Sequence, residues 1–157
     1  MDSTTIPLEN SMSALSVNHV PLLGSSMKPL TILYVEDNKP LRDTICELLA
    51  SDQRVISTSS SAEEALASLG LQKYDVVITD ISLPGMSGTE LARRIVASCP
   101  EQWVLLCSGY QLPPDLTKLG VNVRSMIKPF EISDLDVILD DIASTLQRAE
   151  SSRSAAT

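Results

Sequence analysis

Five residues stand at comparable places in this chain: Glu36 and Asp37, then Asp80, Ser108 and Lys128 each follow directly on a short segment that reads as a strand. If the strands run parallel, these positions fall on one edge of a sheet. Three carboxylates, a hydroxyl and an amine then converge. Carboxylates at close quarters repel one another, and a divalent cation relieves the repulsion. Oxygen donors without His or Cys favour Mg²⁺, which binds few carboxylates, keeps several waters and leaves room for a phosphoryl oxygen. Lys128 offers a second positive charge to a phosphoryl group, and Ser108 offers a hydrogen-bond donor. Phosphoryl transfer needs mainly positioning and charge neutralisation. Asp80 can serve as the nucleophile and form an aspartyl phosphate. The competing readings are ordinary ones. Asp80 can be a turn residue or a helix cap, and Lys128 can be its ion-pair partner in the resting state.

The element that holds Asp80 is Tyr74 to Glu90. Val76, Val77 and Ile78 make a β-branched apolar run, which suits a strand buried on both faces. Pro84-Gly85 breaks the chain after Asp80. Ser87-Gly88-Thr89-Glu90 has capping-box spacing, so a helix should start near Ser87. A carboxylate at the carboxyl end of a buried strand lies where open α/β sheets bind ligands.

The other elements alternate in the same way. Strands are expected at Leu30–Val35, Val55–Thr58, Val76–Thr79, Trp103–Cys107 and Val123–Ile127. A helix from Pro40 to Ala50 carries Leu41, Ile45, Leu48 and Leu49 on one face. A short helix follows Ser61, with Gly70 suited to end it. Another spans Thr89 to Ala97, and at most a short one fits Pro114 to Leu119. A last helix, capped by Ser133, presents Leu135, Ile138, Leu139, Ile142 and Leu146. Strand and helix alternate five times, which predicts an α/β fold with a parallel sheet covered on both faces.

Composition bounds the rest. The chain of 157 residues suggests one domain, and it is 43% hydrophobic but only 3% aromatic, so aliphatic side chains must fill the core. The expected division is a disordered leader at 1–29, a folded domain at 30–148 and a flexible tail at 149–157. No DNA-binding output domain is expected. A net charge of −8 argues against a nucleic-acid surface. No apolar run is long enough to span a bilayer, and the first residues do not resemble a signal peptide, so a cytoplasmic location is expected. Cys46, Cys99 and Cys107 show no metal spacing and read as reduced, mostly packed thiols. His19 is the sole histidine and lies in the leader, which disfavours histidine-based catalysis.

From Leu30 to Leu146 the sequence resembles the receiver domains of two-component response regulators. The matching residues are Glu36-Asp37, Asp80 with Leu83-Pro84-Gly85-Met86-Ser87-Gly88, Ser108-Gly109, and Lys128-Pro129-Phe130. The resemblance implies a doubly wound flavodoxin-like fold with a five-stranded parallel sheet in the order 2-1-3-4-5. It implies Asp80 as phospho-acceptor, with Ser108 and Lys128 binding the phosphoryl group. It implies Mg²⁺ held by Glu36, Asp37, Asp80 and the backbone carbonyl of Ser82. It further implies a cis Lys128–Pro129 peptide. The partners implied are a sensor histidine kinase or a histidine phosphotransfer protein, and a downstream protein target. The expected activity is a switch or phosphorelay shuttle, not an enzyme. Two departures stand out. Ser125 occupies a position where the family often has an aromatic ring, and the segment between Ser108 and Lys128 is short and proline-rich.

Other classes fit less well. A Mg²⁺-dependent phosphatase with an Asp nucleophile commonly has a second Asp two residues on, where this chain has Ser82. A flavin-binding module needs a phosphate-cradling loop after the first strand, and Glu36-Asp37 would repel phosphate there unless a metal intervened.

Overall fold

The computed structural model describes residues 27–156. The expected leader lies, up to residue 26, outside the described residues. Five strands alternate with five helices: β1 (Leu30–Val35), α1 (Lys39–Leu49), β2 (Arg54–Ser59), α2 (Ala62–Leu71), β3 (Val76–Asp80), α3 (Gly88–Ser98), β4 (Trp103–Ser108), α4 (Pro114–Thr117), β5 (Val123–Ile127) and α5 (Ile132–Ala155). The strands form one parallel sheet in the order β2-β1-β3-β4-β5. This is the doubly wound, flavodoxin-like arrangement.

The sheet has helices on both faces because its inner strands are apolar on both. Leu33, Val35, Val77, Val104 and Leu106 pack with Ala65 of α2, Leu91 and Ile95 of α3 and Leu116 of α4. Ile32, Tyr34, Val76, Ile78 and Leu105 pack on the other side with Leu49 of α1 and Leu135, Leu139 and Ile142 of α5. Polar pairs fix α5 further. Arg54 of β2 bridges Asp136 and Asp140. Arg124 of β5 bridges Asp141 at 2.9 Å and stacks over Trp103.

The winding decides where a site can form. From β1 the chain moves outward to β2, then returns to place β3 on the other side of β1. The carboxyl ends of β1 and β3 therefore flank the point where the strand order reverses. Connections lead away to either side there, which leaves a crevice.

Several elements differ from the expectations above. On α1, Ile45 and Leu49 face the core, but Leu41 and Leu48 are exposed. Those two leucines lie about 80–100° around the helix from Leu49 at about 100° per residue. The sheet covers a narrower stripe than the apolar pattern. Gly70 does not end α2, which continues to Leu71 with Gln72 as its cap. The cap of α5 is Glu131, whose N–H donates to Asp134 at 3.1 Å, and Ser133 lies inside the helix. The expected tail at 149–157 is instead helical as far as Ala155. Ile132 to Ala155 contains neither Gly nor Pro, so nothing in the backbone stops the helix earlier. Its 24 residues run about 36 Å at 1.5 Å each, past the end of strands of five or six residues. Segment 114–119 forms only the single turn of α4.

Gly70 offers a direct check of the α2 boundary. A Cβ there would meet nothing within 4 Å. Gly70→Ala should then stabilise the protein by roughly 0.5–1 kcal/mol, the helix-interior difference between the two residues. Urea unfolding that shows equal or lower stability would place Gly70 outside the helix.

Candidate functional site

Asp80 is the last residue of β3, and Glu36 and Asp37 follow β1 directly. Carboxylate oxygens of Glu36, Asp37 and Asp80 all lie within 4.8 Å of one another, the one such acidic group among the described residues. Glu36 is buried and Asp37 is exposed. The ammonium of Lys128 lies 3.1 Å from Asp80 Oδ2 and 3.7 Å from Glu36 Oε2. The ion pair between Lys128 and Asp80 is thus present in this state.

Neighbouring strands set these positions. The Lys128 N–H donates to the Ser108 carbonyl at 2.7 Å, which joins the ends of β4 and β5. The Lys128–Pro129 peptide is cis. Ser108 is buried, and its hydroxyl oxygen accepts from the Tyr110 N–H at 3.1 Å. The Ser82 N–H donates to Asp80 Oδ1 at 3.3 Å. The five residues named from sequence, and Ser82 with them, therefore meet at one sheet edge.

The loop after Asp80 returns sharply into α3. The Gly88 N–H donates to the Ile81 carbonyl at 3.0 Å. A Cβ on Gly88 would lie 1.9 Å from the Asp80 carbonyl oxygen. The close approach of α3 to the end of β3 thus requires glycine here. Ser87 caps α3 by accepting from the Glu90 N–H at 3.1 Å, as the capping-box spacing implies.

The electrostatics are unbalanced. Burial raises the Glu36 carboxyl above its ordinary range. The Asn38 N–H and Lys128 pull it down, Asp80 pushes it up, and the net shift is upward. Burial opposes the charge of Lys128, but its hydrogen bond to Asp80 and the nearby carboxylates outweigh that and raise its pKa. Glu36 Oε1 accepts from the Asn38 N–H at 3.0 Å. Glu36 Oε2 is the one buried side-chain polar atom among the described residues that lacks a hydrogen-bond partner. A buried, unsatisfied carboxylate oxygen among other carboxylates suits a hard cation. The all-oxygen donor set fits Mg²⁺.

Some nearby residues were not singled out in the sequence. Arg42 of α1 donates to the Glu36 carbonyl at 2.7 Å and fixes the backbone of the acidic pair. Its spacing of six residues from Glu36 carries no recognisable signal. Cys107 pairs with Asp80 across β3 and β4, and burial pushes its thiol up to about 12. That thiol stays protonated and is no nucleophile. Burial also raises the Tyr34 phenol well above its ordinary value. Of the other thiols, Cys46 is half-buried and Cys99 is exposed, so only Cys107 is packed fully.

A doubly wound sheet with an acidic crevice at its switch point defines a broad class of phosphate- and metal-handling α/β proteins. Comparison with known proteins narrows it. The response regulator receiver domain family matches residues 32–140. The chain belongs to that family. It is 30% identical over 125 residues to the C4-dicarboxylate transport transcriptional regulatory protein DctD of Rhizobium meliloti, covering 78% of this chain and 26% of that protein. It is 35% identical over 97 residues to the hydrogenase transcriptional regulatory protein HoxA of Cupriavidus necator, covering 62% and 20%. The chain thus spans about a quarter or less of the length of these relatives. Among solved structures, a CheY-like receiver domain from Methylobacillus flagellatus aligns with a TM-score of 0.66 at 28% identity, over 73% of this chain and 99% of that one. The response regulator TrrA of Thermotoga maritima, solved in complex with Mg²⁺-BeF, aligns with a TM-score of 0.66 at 27% identity, over 72% and 98%. Receiver domains are phosphorylated on aspartate and act as signalling switches. None of the helices among the described residues is long and apolar enough to cross a membrane.

The strain at Glu36 gives a measurable sign. A carboxyl whose pKa rises on folding stabilises the fold in acid, and that contribution is lost as pH rises through the folded pKa. Glu36→Gln removes the ionisation. It should raise the melting temperature of the metal-free protein by a few degrees at pH 7, with the gain fading toward pH 4. It should also shrink the response to Mg²⁺. A lower melting temperature at neutral pH would give Glu36 a structural role instead.

Proposed function

We propose that this chain accepts a phosphoryl group on Asp80 from a histidine kinase or a histidine phosphotransfer protein, with Mg²⁺. It then acts as a protein-interaction switch or as a shuttle in a phosphorelay. The observation that carries this reading is the placement of Asp80 between two further carboxylates and the Lys128 ammonium, at the carboxyl edge of the sheet. No role for nucleic acid or membrane is part of the reading, and the proposed location is cytoplasmic.

Each residue has a role in this reading. An Asp80 oxygen attacks phosphorus, a P–O bond forms, and the P–N bond to the donor imidazole breaks. Lys128 leaves its resting bond to Asp80 and pairs with the transferred group, while the Ser108 hydroxyl donates to a phosphoryl oxygen. Glu36, Asp37, Asp80 and the Ser82 carbonyl would hold Mg²⁺, which supplies charge neutralisation for the incoming group. Ser82 carries no carboxylate to act as a general acid, which disfavours the phosphatase alternative. Ser125 is exposed on β5 and has no ring to bury on phosphorylation, so the response should centre on the loops after Asp80 and Ser108.

Intact mass after incubation with acetyl phosphate and Mg²⁺ tests the assignment. The protein should gain one phosphoryl group, and Asp80→Asn should gain none. Equal gain in the mutant would remove Asp80 from the role.

A further inference from the structure

Two adjacent glutamates open α2, and they do different work. Glu64 closes its own helix end: its carboxylate accepts from the Ser60 N–H and hydroxyl, both at 2.8 Å. Its N–H in turn donates to the Ser61 hydroxyl at 3.1 Å. Glu63 lies beside its own N–H and the Ser61 side chain, and it also reaches out of the helix. Its Oε1 accepts from the backbone N–H of Met86 at 2.9 Å, across 23 residues of sequence.

Met86 lies in the loop between Asp80 and α3. The base of that loop is tied by the bonds from Leu83 and Gly88 to the Ile81 carbonyl. At its apex, Pro84 has no N–H to give. Gly85 has φ +75°, a backbone form in which a side chain is strained, and a Cβ there would come within 3.0 Å of Glu63 Oε1. Among the described residues, the bond to Glu63 is the one hydrogen bond that the stretch from Pro84 to Met86 makes. That bond is also the main cause that holds the Glu63 carboxyl below its ordinary range.

We propose that Glu63 is a positioning residue for the phosphorylation site: its grip on the Met86 N–H holds the 82–86 loop over Asp80 and so sets where the Ser82 carbonyl stands. This rests on the reading of Asp80 and Ser82 given above. It links α2, which contributes no group to the crevice, to metal binding. A loop free at its apex samples more conformations, and only some of them present Ser82 to a cation bound at Asp80. Apparent affinity falls with the fraction of the competent form.

Three variants separate the clamp from simple helix stability. In metal-free protein, the exchange rate of the Met86 amide is read by NMR; Mg²⁺ affinity is read by calorimetry. Glu63→Ala should speed exchange at Met86 and weaken Mg²⁺ binding, each by roughly three- to tenfold, the size of one net hydrogen bond. Glu63→Gln keeps an acceptor oxygen and should restore most of both. Glu64→Ala opens the α2 cap; it should lower the melting temperature and leave Met86 exchange and Mg²⁺ affinity near wild type. Values within twofold of wild type for Glu63→Ala would overturn the proposal. So would Glu63→Gln as impaired as Glu63→Ala, or Glu64→Ala matching Glu63→Ala. A wild-type chain that bound no Mg²⁺, with Met86 exchange still faster in Glu63→Ala, would keep the clamp and sink the metal-site reading beneath it.

Discussion

Three carboxylates and one ammonium share the crevice at the ends of β1, β3 and β5, and one carboxylate oxygen there is buried without a hydrogen bond. This crowding of like charge is the constraint that the rest of the fold must support. Left in water, Glu36, Asp37 and Asp80 would separate. They stay close because each is fixed to a strand end of a parallel sheet whose residues are buried on both faces. The aliphatic layers that hold β1 and β3 side by side therefore also hold the charges together. Lys128 offsets part of the repulsion, but one ammonium cannot balance three carboxylates. The remainder is an attraction for a cation, and a phosphoryl group can then be accommodated.

The supporting contacts are mostly backbone ones. Gly88 allows the start of α3 to touch the Asp80 carbonyl, where any side chain would collide. Arg42 holds the Glu36 carbonyl, and the Lys128 N–H holds that of Ser108. Fixing the backbone leaves the carboxylates and the lysine free to change partners. The function proposed above needs that freedom, since in it Lys128 gives up Asp80 when the phosphoryl group arrives.

Much of this was legible in the sequence for definite reasons. Val76-Val77-Ile78 reads as a doubly buried strand because β-branched runs suit that environment. The positions of Glu36, Asp80, Ser108 and Lys128 follow once the strands are parallel. What was not legible depended on how elements rotate and reach across space. The stripe of Leu41, Ile45, Leu48 and Leu49 is genuine, but its rotation on the sheet leaves Leu41 and Leu48 outside. Gly70 and the residues from Ala149 onward looked like helix ends because local signals weakened there. Yet α2 runs one residue beyond its glycine, and α5 meets no residue that stops it. The bonds from Arg42 and Glu63 join positions whose spacing carries no pattern.

On the function proposed above, the acidic crevice is electrostatically incomplete and a divalent cation completes it at a specific site. Thermal unfolding in Mg²⁺ and in NaCl at matched ionic strength tests it most directly, because simple screening acts alike in both, whereas site binding adds stability by mass action. The melting temperature should rise with Mg²⁺ concentration and stay nearly flat in NaCl. Equal rises in the two salts would contradict it.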